Sequence, residues 1–250
     1  VDGRGTTTVY NYDELNNLIS QTVVVSGITQ TTTYKYDKNG NKTQTTDWRG
    51  NTSKIEYDQL DRVIRTVDPY DKTIQKYEYN RNNAQIKAYD ALNNMTEYKY
   101  DKNNRLIETI DPEKHSTIQE YDEVGNIIAK TDGNGYTTTY EYDEFNRLVA
   151  VINPLMETTT YTYDLNGNML SQTDGEGNRT DYRYNVVNKV VKIWNMGSDK
   201  VESYTYYPNG LVKTKQDKNG DITNYEYDCH GRLKKKSVGS LTVQYTYDGN

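Results

Sequence analysis

Cys229 stands beside His230, "DKNGD" runs from Asp217 to Asp221, "DGNG" from Asp132 to Gly135, and aspartates recur about every ten residues along the chain. A thiol next to an imidazole can be a nucleophile or a metal ligand. Oxygen-rich loops bind calcium. Two facing carboxylates can act as general acid and base. Trp48 and Trp194 offer flat apolar rings that can stack on a sugar. The spacing removes most of these readings. A calcium loop needs Gly at its sixth place and Glu at its twelfth; counted from Asp217, those places hold Ile222 and Asp228. No Ser–His–Asp set, no phosphate-binding Gly loop after a strand and no Cys/His metal spacing is present. The chain is expected to have no catalytic, cofactor or metal site. Trp48 and Trp194 stay as weak candidates for sugar stacking.

What positions these residues is a repeat, and repeats are sought before anything else. Tyr12, Tyr36, Tyr57, Tyr79, Tyr100, Tyr121, Tyr142, Tyr163, Tyr184, Tyr206, Tyr227 and Tyr247 recur at intervals of 20 to 24 residues, most often 21. Two residues before each stands a second Tyr, except at Ile55 and Gln119; the two columns use 22 of the 26 tyrosines. The residue after each anchor is Asp or Asn, except at Tyr207.

Each repeat carries two turn signals. A type I turn favours Asp or Asn first, and when it closes a hairpin the next left-handed residue makes a bulge. That left-handed place takes Gly, or else Asn or Asp. Counting four from Asp37, Asp122, Asp143, Asp164 and Asp228 gives Gly40, Gly125, Asn146, Gly167 and Gly231, and every repeat has Gly, Asn or Asp there. So Asp is read as a turn starter, and Cys229-His230 as a turn dipeptide. Ten residues on, a looser version returns, with Lys114, Met156 and Ser198 in the fourth place. In the first repeat a three-residue insertion at "VVVSGITQ" predicts a longer turn at Ser26-Gly27.

Between such turns fit strands of about five or six residues. The pattern predicts an all-β fold: an antiparallel meander of hairpins, about two strands per repeat, with stability spread over nearest neighbours. The expected register sets Asp143 opposite Arg147, Tyr142 opposite Leu148 and Tyr140 opposite Ala150. The tyrosine column then forms a structural ladder beside aliphatic residues such as Leu18, Val63, Ile127 and Leu233.

Composition agrees with a thin structure. Only 33% of residues are hydrophobic, against about 45–50% in ordinary globular chains, and mean hydropathy is −1.03. A net charge of −6 argues against nucleic acid as partner, since phosphate neutralisation needs clustered cations. Lys234–Lys236 reads as a solvated strand face. No apolar run is long enough to insert in a membrane, and no leader pattern opens the sequence.

"YEYDEFNRLVAVINP", "YKYDKNNRLIETIDP", "YTYDLNGNMLSQTDGEGNRT" and "YEYDCHGRL" resemble YD repeats, also called Rhs repeats, of bacterial Rhs proteins, wall-associated proteins, the B and C components of Tc toxins, and teneurins. The resemblance covers essentially the whole chain. It implies a sheet that curls into a spiral, an open tube or a partial hollow shell. It implies a non-enzymatic module whose partners are neighbouring repeats and an enclosed polypeptide such as a C-terminal toxin, in a secreted or cell-surface bacterial protein. Glycans are the alternative partner, with the chain as an adhesion segment. No self-cleaving motif or effector accompanies the repeats. The reading of residues 1–250 is a single array of about twelve repeats, cut in mid-repeat at Asp2…Gly5 and at Tyr247–Asn250, whose open strand edges can pair with other chains.

The turn column makes a direct prediction. Gly125→Val or Gly231→Val lowers the melting temperature more than Ala at exposed strand positions does, because a β-branched residue is poorly tolerated at positive φ. An unchanged melting temperature for Gly125→Val contradicts the bulged-turn assignment.

Overall fold

Chain segments too short for a helix, each ended by a residue that favours the left-handed region, leave the backbone only hairpins. A computed structural model describes residues 6–25 and 27–248. They form 23 β-strands and, among the described residues, no helix. The all-β antiparallel meander expected from the repeat is what folds. The chain divides into two compact units, residues 1–119 with 131–135, and residues 120–130 with 136–250. In the first, consecutive strands pair antiparallel from Thr7–Tyr12 to Leu106–Ile110. In the second they do so from Thr137–Tyr142 to Leu241–Gln244.

The eleven turn residues from Asn16 to Gly231 all have positive φ, between 58° at Asn188 and 104° at Gly125. In each hairpin two bonds close the loop. Asn146 N–H donates to Asp143 C=O at 3.0 Å, and Asp143 N–H to Arg147 C=O at 3.0 Å. The chain therefore enters the returning strand one residue out of step. Tyr142 lies opposite Leu148, but Glu141 lies opposite Ala150 and Tyr140 opposite Val151.

This corrects the expected pairing of Tyr140 with Ala150. Val149 has no opposite residue, so a bulge with two residues facing one is built into the strand. Ala150 moves to the face of Glu141, where it is only 6% exposed. The same shift recurs beside Tyr36, Tyr57, Tyr79, Tyr163, Tyr184, Tyr206 and Tyr227.

The looser turns also differ from expectation in detail. Lys114 and Met156 take φ of 74° and 64° although neither is a usual left-handed residue. Ser198 does not; Gly197 takes the positive φ of 77° in its place, at the third position, where a type II turn wants glycine. Val25 pairs directly with Ile28. The insertion in the first repeat therefore lengthens the strands, to eight residues in Leu18–Val25 and nine in Ile28–Tyr36, rather than the turn. Ser26, Asp2 to Gly5, Gly249 and Asn250 lie outside the described residues.

A thin sheet has little interior. Val67, Ser171 and Ala150 are the most buried of the described residues, at 1%, 2% and 6% exposure. Most strand side chains are half-buried, so each is stabilised by its strand neighbours rather than by a second layer.

Met156 held at φ 64° carries a left-handed strain of about 1–2 kcal/mol. Met156→Gly is expected to raise stability by roughly 0.5–1 kcal/mol, since the flexibility glycine adds to the unfolded chain offsets part of that relief. Asn146→Gly changes it little, because Asn already tolerates the conformation. Paired denaturant titrations check both.

Candidate functional site

The alternate hairpins are paired over a shorter distance. Leu148–Ile152 meets Thr158–Tyr163 only through Ala150, Val151 and Ile152, opposite Thr160, Thr159 and Thr158. Towards the bulge the backbone ladder stops, and main-chain carbonyls there lack a neighbouring N–H on that side. A seam therefore runs between one hairpin and the next.

The anchor tyrosines close it. Tyr163 Oη donates to Leu148 C=O at 2.8 Å, Tyr142 Oη to Ile127 C=O at 3.0 Å and Tyr184 Oη to Met169 C=O at 3.0 Å. The same bond joins Tyr36 to Leu18, Tyr57 to Lys42, Tyr79 to Val63, Tyr100 to Gln85, Tyr206 to Val190 and Tyr247 to Leu233. Tyr12 is 54% exposed, and Tyr121 is half-buried with an interaction of its own. The acceptor is always main chain, so Lys42 and Gln85 serve as well as an aliphatic residue. Desolvation by burial raises the Tyr163 and Tyr142 phenol pKa values, which extends the pH range over which the phenol donates.

The sequence pointed to the ring and its aliphatic neighbour; the hydroxyl was the missed part. Its signal was present, since the column is Tyr in every repeat and never Phe, and a ring alone has no reason to exclude Phe.

The turn aspartates organise the other end of the seam. In Asp143, Oδ1 accepts from the N–H of Phe145 and of Arg147, and Oδ2 from Arg147 Nε at 2.7 Å. Asp37, Asp122 and Asp164 do the same with Asn41, Asn126 and Asn168, and Asp228 with Arg232. The fifth residue then reaches the next turn. Asn126 Nδ2 donates to Asn146 Oδ1 at 3.1 Å, Asn168 Nδ2 to Asn188 Oδ1 at 2.8 Å, and Arg147 Nη1 to Asp164 C=O at 2.7 Å. The Arg147 guanidinium also lies 4.9 Å from the Tyr163 ring centroid, and that of Arg62 4.6 Å from Tyr79, a cation–π geometry.

The other candidate residues lie in turns and in one strand. Asp111, Glu113 and His115 place one ligand atom each within 4.8 Å of one another. They are the first, third and fifth residues of a turn, with His115 Nδ1 3.0 Å from Asp111 Oδ2 where other turns have Asn or Arg. Cys229 is exposed, its sulfur 3.3 Å from His230 Nδ1. Trp48 is 47% exposed in a turn, with the Arg49 guanidinium 4.7 Å from its ring centroid. Trp194 sits in the strand Val190–Asn195, half-buried between Asp181 and Val201.

The RHS repeat family model matches residues 121–155, a stretch centred on one seam. No curated protein matches the sequence. Among solved structures, TcdB2-TccC3 without its hypervariable C-terminal region superposes with a TM-score of 0.77 at 19% identity, over 97% of this chain and 15% of that one. TcdB2-TccC3-Cdc42 gives 0.57 at 16% identity, over 97% and 17%, and TcdB2-TccC3 gives 0.53 at 16%, over 94% and 17%. The chain thus spans less than a fifth of these structures, and at such identities the likeness is one of fold.

Tyr142→Phe, which deletes the hydroxyl and keeps the ring, is expected to cost about 0.5–1.5 kcal/mol. Tyr142→Ala costs more, up to about 3–5 kcal/mol for a fully buried aromatic and less at this half-buried site. Tyr247→Phe, at a residue 46% exposed, costs least. Chemical denaturation of the three variants orders them.

Acid offers a second test. The Asn41 side-chain bond, then the Asn41 N–H bond, hold Asp37 below its ordinary pKa, and the Arg232 side-chain and backbone bonds do so for Asp228, against an opposing desolvation. A lowered folded pKa gives stability that is complete above the unfolded value of about 3.9 and lost as pH falls through the folded one. The melting temperature should therefore drop below about pH 4. Asp37→Asn and Asp228→Asn should flatten that drop while folding normally at pH 7, since Asn80 and Asn185 already start turns.

Proposed function

We propose that this array of Rhs (YD) repeats is a structural module, a stretch of shell wall that encloses or scaffolds a polypeptide cargo in a secreted or surface-displayed bacterial protein. The observation that carries the reading is the seam. The Tyr hydroxyl and the turn-to-turn amide each join one repeat to the next. A wall that extends by identical joints suits enclosure of a volume, with the cargo supplied as a separate segment. The similarity in fold to TcdB2-TccC3, whose structure was solved without its hypervariable C-terminal region, supports the same division of labour. In this reading residues 1–250 form a continuous part of a longer array, and the wall itself performs no catalysis.

The test is protection. The array is expressed in continuity with the polypeptide its gene encodes beside it, and protease digestion of that polypeptide is timed against the same segment expressed free. Strong slowing, abolished when Tyr142→Ala and Tyr163→Ala are introduced together, is the expected result. Digestion at the rate of the free segment rejects enclosure. Glycan binding that depends on Trp48 favours the adhesion reading instead.

A further inference from the structure

One turn gathers three side chains that can ligate a metal. In "DPEKHST" the turn is Asp111-Pro112-Glu113-Lys114, with His115 in the fifth place. It closes like the others, Lys114 N–H donating to Asp111 C=O at 3.1 Å and Asp111 N–H to His115 C=O at 3.0 Å. Pro112 presets the backbone at the second place, where a type I turn favours it. The first, third and fifth side chains then converge. Asp111, Glu113 and His115 each offer one ligand atom, and these atoms lie within 4.8 Å of one another. Asp111 is half-buried, and the other two are exposed.

A second turn shows that side chains at these places do meet. The turn that starts at Asp174 has Glu176 third and Asn178 fifth. There Asn178 Nδ2 donates to Asp174 Oδ2 at 3.0 Å and to Glu176 Oε2 at 3.3 Å. An amide nitrogen between two carboxylates is a donor only. At Asp111 an imidazole takes that place, its Nδ1 3.0 Å from Asp111 Oδ2, and a ring nitrogen can turn a lone pair the same way. Asp111 Oδ1 meanwhile accepts His115 N–H at 2.8 Å, which fixes the carboxylate and aims Oδ2 at the ring. The following turn closes on the base of that ring: a Cβ at Gly133 would stand 2.9 Å from His115 Cβ. The Glu113 carboxylate has no hydrogen-bond or ion-pair partner among the described residues.

We propose that Asp111, Glu113 and His115 form a binding site for a divalent transition metal of the Zn²⁺ class, with water completing the coordination. One imidazole and two carboxylates suit such an ion, whereas calcium and magnesium take oxygen ligands. Two ligands about 2.0–2.1 Å from one metal stand roughly 2.9–3.4 Å apart, from octahedral to tetrahedral angles. The 3.0 Å between Oδ2 and Nδ1 is already that bite. Binding replaces the hydrogen bond between these two atoms. The neutral ring carries its proton on Nε2 instead of Nδ1, and Nδ1 and Oδ2 each give a lone pair to the ion. The exposed Glu113 side chain swings in as third ligand. Coordination ties closed a turn whose left-handed place is filled by Lys114, at φ 74°. Cys/His spacing gives no sign of the group, since two of its three donors are carboxylates. The site rests on this geometry and does not depend on the shell reading.

The test uses untagged protein carrying Cys229→Ser, which removes the chain's thiol beside His230. It is titrated with Zn²⁺ while the ring NMR signals of His115 and His230, the two histidines of the chain, are followed. A saturable shift at His115 is expected, with one Zn²⁺ bound per chain by calorimetry, and Mg²⁺ at the same concentration giving none. Glu113→Gln is expected to weaken binding at least about tenfold. His115→Asn, which gives the turn the fifth residue of the Asp174 turn, should abolish it. Several results overturn the proposal: no saturable shift at millimolar Zn²⁺, a shift at His230 alone, a Mg²⁺ response equal to that of Zn²⁺, or unchanged affinity in Glu113→Gln or His115→Asn. If His115→Asn does not fold, Glu113→Gln decides, since that exposed side chain takes no part in closing the turn.

Discussion

A single left-handed residue after each tight turn sets the terms for everything else in this chain. Asn146 and its equivalents at positive φ force the returning strand one residue out of register. The slip makes the bulge at Val149, and the backbone ladder to the following hairpin ends near it. Carbonyls such as that of Leu148 are left to be satisfied by other means, and an unpaired main-chain acceptor is costly wherever water is excluded. The anchor tyrosine hydroxyl is the means. Turn, bulge and phenol are thus one device, and a change in any of them is felt by the other two.

The device explains how so polar a chain folds at all. Few of the described residues are fully buried. The sheet's stability comes from local terms repeated along the array: cross-strand pairs worth roughly 0.2–1 kcal/mol each, the hydroxyl–carbonyl bonds, and turn carboxylates that accept from two N–H groups and a side chain. The opposite face carries cross-strand ion pairs, Glu56 with Arg65, Lys99 with Glu108 and Glu226 with Lys235, which keep it wet at little energetic gain. Such a structure extends by addition of identical joints.

Departures from the rule are then informative, because each turn still closes without its usual residue. At Tyr207 the turn-starting carboxylate is replaced by a ring that packs T-shaped with Tyr227, centroids 6.2 Å apart. Gly197 substitutes for the usual fourth residue by changing the turn. Pro154 precedes Leu155 and Met156, two apolar residues held 77% and 81% exposed in their turn.

The sequence by itself determined the repeat, the two turns in each period, the antiparallel meander and the column of tyrosines. These follow from local chemistry: which residues tolerate positive φ, and how many residues fit between turns. It did not determine the pairing of Tyr140 with Val151, because the side on which a bulge takes its extra residue is decided by two strands together. The inserted residues near Gly27 went into strand length, since a two-residue loop closes whenever its strands can simply extend. The tyrosine hydroxyl had a legible signal in the absence of Phe, but its partner, a carbonyl fifteen or so residues away, exists only once the ladder between hairpins stops. The arginine over the next ring belongs wholly to the tertiary structure, because it lies between segments that touch only across a seam.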